Sequence, residues 1–166
     1  MSLEQDLLNI LITVGIAMLP ILEVRGAIPF ALGVLGMPLA QAFFWAVLGN
    51  ILIVAILLKF LDPVTKILMK HSKWFDRFLT DLFHKTRHKH STRFNEAGAI
   101  FLIGFVAIPL PITGAWTGSL VAFLFGVRFW PALTLISIGI VGAATLISLG
   151  FESITTIIDW FLSATA

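Results

Sequence analysis

The chain has 166 residues, of which 58% are hydrophobic and only 12% are charged, and its mean hydropathy is +1.01. A soluble domain carries charge on roughly a quarter of its residues, so this composition excludes an ordinary water-soluble protein and predicts an integral membrane protein. The net charge is +2, and the absence of cysteine excludes disulfide bonds and thiol chemistry.

The first predicted element is a pair of short helices over residues 5–36. The apolar run Leu7–Leu22 has 16 residues and Gly26–Gly36 has 11, whereas a helix needs ~20 apolar residues to cross a bilayer. The segment between them, "PILEVRGAIP", contains Pro20 and Pro29, and proline interrupts helices. We therefore predict a re-entrant helical hairpin that enters and leaves the membrane on one side. The alternative is that Leu7–Leu22 is a short complete span.

The break of this hairpin contains two charged residues, Glu23 and Arg25. An ionisable group near the bilayer centre costs ~2.5–3.5 kcal/mol and usually faces a cavity or a partner. A helix starting near Gly26 adds a positive dipole end, which with Arg25 suits an anion and especially a phosphate. Glu23 then fits a proton-coupling role, because a substrate at Arg25 changes its proton affinity. The alternative is a structural Glu23–Arg25 ion pair.

The next elements are a membrane span at residues 40–61 and a basic connector at residues 62–95. Nine of the eleven Lys and Arg residues lie between Lys59 and Arg93, so the positive-inside rule predicts that the connector is cytoplasmic. Asp62-Pro63 is typical of a helix start, and the following sequence predicts amphipathic helices on the inner leaflet. The connector residues expected to contact lipid headgroups are Lys66, Lys70, Lys73 and Arg77. We do not expect the histidines of the connector to form a metal site.

The second half, residues 96–150, repeats this order with a hairpin at 97–127 and a span at 129–150. Its break, "PLPITGAW", contains Pro109 and Pro111, and the second short helix is expected to start near Gly114. Hydroxyl groups that could contact a substrate there belong to Thr113, Thr117 and Ser119, while Arg128 is expected to contact headgroups. Residues 151–166 predict a separate amphipathic helix at the outer surface.

The two halves therefore predict an inverted-topology repeat. A hairpin contributes no crossing and the following span contributes one, so the second half starts on the opposite side of the membrane from the first. Glycines and prolines recur 88 to 90 positions apart, as in Gly15 with Gly104, Pro20 with Pro109 and Gly49 with Gly139. In this arrangement both hairpins direct a helix N-terminus at one central point, and both chain ends face outward.

At these two breaks the sequence resembles a known family. "EVRGAIP" at 23–29 and "PLPITGAWTGS" at 109–119 resemble the signature stretches of the bacterial and archaeal small multidrug export proteins. The layout is also similar to the DedA superfamily, whose members are implicated in moving lipids such as undecaprenyl phosphate and in proton-dependent drug tolerance. The resemblance implies that Glu23 and Arg25 are the functional pair. The second break has no acid or arginine where many DedA relatives have an arginine.

Three hypotheses follow for a multi-pass protein of the bacterial or archaeal cytoplasmic membrane. The first is a homodimeric, proton-coupled transporter of an amphipathic lipid phosphate, working by alternating access. The second is a proton-coupled exporter of cationic drugs that uses Glu23. The third is a scaffold that deforms the bilayer without transport. We expect no enzymatic activity, no cofactor and no nucleic-acid partner, because no nucleophile–base pair is apparent and topology explains the basic run.

Overall fold

The computed structural model describes residues 3–71, 77, 80, 96–108 and 113–165. Within these residues all regular secondary structure is helical, which confirms the predicted all-α class for the described part of the chain. The helices are α1 (Leu3–Ala17), α2 (Glu23–Gly33), α3 (Leu39–His71), α4 (Glu96–Ala107), α5 (Ala115–Leu124) and α6 (Phe129–Thr165).

Of the six helices bounded within the described residues, two are long and apolar enough to cross a membrane. These are α3, with 33 residues, and α6, which is a candidate span over Phe129–Ser163. The other four have between 10 and 15 residues, which is less than a complete span requires. The predicted order of two short helices followed by one long helix is therefore present twice.

The chain forms two compact units, and each contains one pair of short helices. Unit 1 consists of Met1–Asn50 and Val141–Ala166, and unit 2 consists of Ile51–Ile140. In unit 1, α1 packs against α2, and the Phe151 ring of α6 lies 3.7 Å from where a Cβ atom on Gly33 of α2 would be. In unit 2, α4 packs against α5.

Each unit contains a close helix crossing at a glycine. In unit 1, a Cβ atom on Gly49 of α3 would lie 2.7 Å from the Val14 carbonyl oxygen of α1. In unit 2, a Cβ atom on Gly139 of α6 would lie 2.9 Å from the Ile103 carbonyl oxygen of α4. Because real Cβ atoms do not approach other atoms this closely, both crossings need glycine.

The second short helix of each unit also ends in a similar turn. Gly36, with φ 62°, follows α2, and the Met37 N–H donates to the Ala31 carbonyl at 2.9 Å. Gly126, with φ 71°, follows α5, and the Val127 N–H donates to the Ala122 carbonyl at 2.9 Å. Glycine favours this left-handed conformation because it has no Cβ atom.

Two predicted helix boundaries are wrong. Asp62-Pro63 does not start a new helix: α3 continues through Pro63, where the Lys66 ammonium pairs with the Asp62 carboxylate at 2.7 Å. The predicted separate helix at 151–166 is instead the end of α6, which runs without interruption from Phe129 to Thr165. One interior proline removes one backbone hydrogen bond, and neighbouring turns can maintain the helix.

Several predicted residues lie outside the described part of the chain. These are most of the connector at 62–95, including Lys73, and both prolines of the second break, Pro109 and Pro111. Among the described residues, no group of three or more His, Asp or Glu side chains could hold a metal ion.

Candidate functional site

The break in unit 1 is a five-residue turn between α1 and α2. Helix α1 ends at Ala17, and Pro20 lies within the turn, as predicted. The Met18 N–H donates to the Val14 carbonyl at 3.1 Å, and the Glu23 N–H donates to the Leu19 carbonyl at 3.1 Å. Backbone hydrogen bonds therefore extend into both sides of the turn, which holds the first residue of α2 in place.

Pro29 is not a helix break, contrary to the prediction. Helix α2 begins at Glu23 rather than near Gly26, so Pro29 lies in its interior. Proline has no N–H to bond to the Arg25 carbonyl one turn earlier, yet the helix continues to Gly33. Its apolar residues explain why: Val24, Ala27, Ile28 and Ala31 are all buried, so packing stabilises the helix around the missing bond.

Glu23 combines burial with an uncommon backbone conformation. Its side chain is only 5% exposed. Its φ is 47°, and among the described residues no other residue except glycine has a positive φ. Left-handed backbone costs an ordinary residue of order 1–3 kcal/mol, and such residues cluster at functional sites. The turn directs a carboxylate into the protein at the first position of α2, where the helix dipole favours a negative charge.

Arg25 lies two residues further along the first turn of α2. It is partly exposed, unlike the buried Glu23, and the two charged groups attract each other electrostatically. Gly26 follows with its N–H donating to the Leu22 carbonyl at 2.7 Å. A Cβ atom on Gly26 would lie 2.9 Å from the Leu22 Cβ atom, so glycine allows the tight turn that presents both charged side chains.

The described part of the second break, in unit 2, is also polar. Gly114 precedes α5 with φ 157° and ψ −173°, a conformation that is essentially restricted to glycine. The Thr113 hydroxyl donates to the Ile108 carbonyl at 2.7 Å, and the buried Ser119 hydroxyl donates to the Ala115 carbonyl at 2.7 Å. The Ser119 hydrogen is therefore used within its own helix, while Thr117 is partly buried.

The basic residues predicted to contact headgroups are exposed where the structure describes them. Lys66, Lys70, Arg77 and Arg128 all have exposed side chains, and Lys66 also pairs with Asp62. Their exposure is compatible with the predicted headgroup contacts, which stay a prediction.

Sequence reasoning missed Asn50, a buried amide in the first membrane span. Its side chain is fully buried, and neither its Oδ1 nor its Nδ2 atom has a hydrogen-bond partner among the described residues. Asn50 is at the middle of the apolar run 40–61 and directly follows Gly49, which crosses α1 near its end. The signal that could have found it was a lone amide at the centre of an otherwise apolar span.

The sequence that carries these features matches a known protein family. The model of the family described as "Putative small multi-drug export protein" matches residues 23–146, from the first residue of α2 into the second span. The chain belongs to this family. Its membership and its two long apolar helices mark it as a membrane protein of the transporter type. No curated protein and no solved structure matches it.

Proposed function

We propose that this small multidrug export family member is a proton-coupled transporter of an amphipathic anionic lipid phosphate, such as a polyprenyl phosphate. Arg25 binds the phosphate, and Glu23 carries the coupled proton. The observation that carries the proposal is the buried Glu23 carboxylate, with φ 47°, beside the more exposed Arg25 at the start of α2. A strained acid that is maintained next to a base is expected where substrate binding must change a protonation state.

The chemistry of this break supports an anionic substrate. Arg25 offers a planar set of N–H donors that matches phosphate oxygens, and the N-terminal end of α2 adds a positive dipole. When phosphate binds Arg25, it competes with Glu23 for the guanidinium, and the carboxylate then takes up a proton. Gly26, Thr113, Gly114, Thr117 and Ser119 are the other residues to which we assign substrate contacts.

We also propose that the fold is an inverted-topology repeat of re-entrant hairpins. The pattern of buried positions in the two long helices supports it. The buried positions 42, 46, 49 and 50 of α3 correspond to the buried positions 132, 136, 139 and 140 of α6, with an offset of ninety residues. The glycine crossings and the turns at Gly36 and Gly126 recur with the same offset. Such repeats are typical of transporters that work by alternating access, and the layout is similar to the DedA superfamily.

The remaining assignments complete this proposal. The protein functions as a homodimer, because the four short helices and two spans described leave little protein to shield the polar breaks from lipid. The proposal includes no enzymatic activity and no cofactor. Its membrane is the cytoplasmic membrane of a bacterium or archaeon, with the basic connector inside and both ends outside.

Transport of a polyprenyl phosphate into reconstituted vesicles tests the proposal. Arg25→Gln should lower binding by ~10–100-fold, the loss expected for one charge-assisted pair, and should abolish transport. Glu23→Gln should retain binding but lose the dependence of transport on a pH gradient. Arg25→Lys should recover part of the binding. The matched control is Glu152→Gln, which removes an exposed carboxylate on α6 and should leave transport unchanged.

A second function, export of cationic drugs through Glu23, is favoured by the family description. It predicts that Glu23→Gln abolishes drug export and that Arg25→Gln does not. Wild-type protein that neither binds nor transports a polyprenyl phosphate would contradict the first proposal. Vesicle shape that depends on Lys70 and Lys73, with both break substitutions silent, would favour the third possibility, a bilayer-deforming scaffold.

A further inference from the structure

Unit 1 contains a cavity of about 440 Å³ that is separate from the break at Glu23 and Arg25. Its walls come from the first two turns of α1, the turn between α2 and α3, and the first two turns of α3. The polar and aromatic side chains that line it are Asp6, Asn9, Gln41 and Trp45, together with the apolar Ile10 and Met37. A cavity of this size accepts a small organic molecule.

The walls of the cavity are held in place by hydrogen bonds. Asn9 is only 3% exposed, and its Oδ1 atom accepts from the Gln5 Nε2 atom at 3.1 Å. The buried Thr13 hydroxyl is 2.8 Å from the Asn9 carbonyl and 3.3 Å from the Met37 sulfur. The Thr13–Met37 contact joins α1 to the α2–α3 turn, and the other two hydrogen bonds fix Asn9 and Thr13 within α1.

The charges around the cavity favour a cation. Among the described residues, Asp6 is the only ionisable side chain that lines it, so an anion would meet no positive partner from these residues there. The sequence of unit 1, residues 1–50 and 141–166, carries five acidic residues and one basic residue, Arg25. The local potential is therefore negative, which raises the concentration of cations near the cavity.

The aromatic wall indicates an organic cation rather than a metal ion. Trp45 presents the indole ring that binds ammonium groups best, and its edge-on contact with Phe44, with 5.1 Å between ring centroids, orients the ring. A divalent metal would need several carboxylate or imidazole ligands, and the described residues provide no such group. Asp6 and Trp45 together match a charged group with an apolar surface.

We propose that this cavity binds a substituted ammonium group, with Asp6 as its counter-ion, Trp45 as its cation–π partner, and the Asn9 and Gln41 amides at its edge. The ligand is either a free organic ammonium compound or the ammonium headgroup of a lipid. This site is distinct from the proposed phosphate site, and it does not depend on Glu23 or Arg25.

Calorimetric titration of the full-length protein in maltoside micelles with choline tests the proposal. Choline should bind saturably, whereas its neutral isostere, in which a tert-butyl group replaces the trimethylammonium group, should not. Asp6→Asn and Trp45→Leu should each weaken choline binding about tenfold, and Trp45→Phe should recover part of it, because phenylalanine keeps an aromatic face. The matched controls are Glu4→Gln and Trp160→Leu, because these two residues do not line the cavity. Both controls, and also Arg25→Gln, should bind choline like the wild type.

The same titration in micelles doped with phosphatidylcholine distinguishes the two sources of the ligand. Competition by the lipid at low mole fraction would identify a headgroup as the natural occupant, and its absence would identify a free ammonium compound. Equal binding of choline and its neutral isostere, no saturable choline binding, or unchanged affinity in Asp6→Asn would each overturn the proposal.

Discussion

At the scale of single residues, the polar side chains buried in the described part of the first half differ in their partners. Glu23 has its electrostatic partner Arg25, and Thr13 donates to a carbonyl of its own helix. Asn50 is fully buried, and its amide has no hydrogen-bond partner among the described residues. An unpaired amide inside an apolar span destabilises the folded protein, so its presence indicates a role other than packing.

We predict that Asn50→Leu stabilises the protein and impairs transport. Leucine has the same branched arrangement of side-chain non-hydrogen atoms, so the substitution removes an unpaired buried amide and should raise the free energy of unfolding by about 1–3 kcal/mol. If the amide contacts the polar part of a substrate at mid-membrane depth, the transport rate should fall. Thermal unfolding in micelles and the vesicle assay measure the two effects.

Ser148→Ala provides the matched control for Asn50→Leu. Ser148 is also buried, and its hydroxyl is likewise without a hydrogen-bond partner in the described residues. Its removal should leave transport unchanged. Normal transport by Asn50→Leu would show that Asn50 has no part in substrate binding.

At the scale of elements, the sequence predicted the short helix pairs and the long spans better than their ends. The Pro20 break was predicted because proline coincides there with charged residues and with the end of an apolar run. Pro29 and Pro63 carry the same local signal, yet both lie inside helices. Burial of the apolar face of α2 outweighs one lost hydrogen bond, and that packing is a tertiary effect that a local pattern does not contain.

The two glycine crossings give a prediction for pairs of elements. Gly49→Ala and Gly139→Ala should each destabilise the protein by about 1–3 kcal/mol, because a new Cβ atom would collide with a backbone carbonyl. Gly15→Ala and Gly104→Ala are controls in helices with no atom within 4 Å of the added Cβ atom, and they should be neutral or stabilising by up to about 1 kcal/mol. Chemical denaturation followed by circular dichroism measures all four. Equal stability of crossing and control variants would contradict the close crossings.

At the scale of the whole molecule, the distribution of charge and the order of helices support one topology. Nine of the eleven basic residues lie between Lys59 and Arg93, whereas acidic residues dominate both ends. This topology stays a prediction, and the sequence leads to it because charge and segment length are one-dimensional properties. The sequence could not predict the cavity beside Asp6 and Trp45, which depends on packing between residues more than thirty positions apart.

The absence of cysteine from the natural sequence makes this topology directly measurable. Single cysteines at Leu3, Lys70 and Ser163 introduce one thiol each at exposed positions near the start, in the connector and near the end. A membrane-impermeant maleimide added to intact cells should label Leu3→Cys and Ser163→Cys, and should label Lys70→Cys only after the membrane is opened. Two crossings place both ends on the same side, because each short pair returns to the side that it entered. If either pair instead crossed the membrane as a single complete span, the two ends would label from opposite sides.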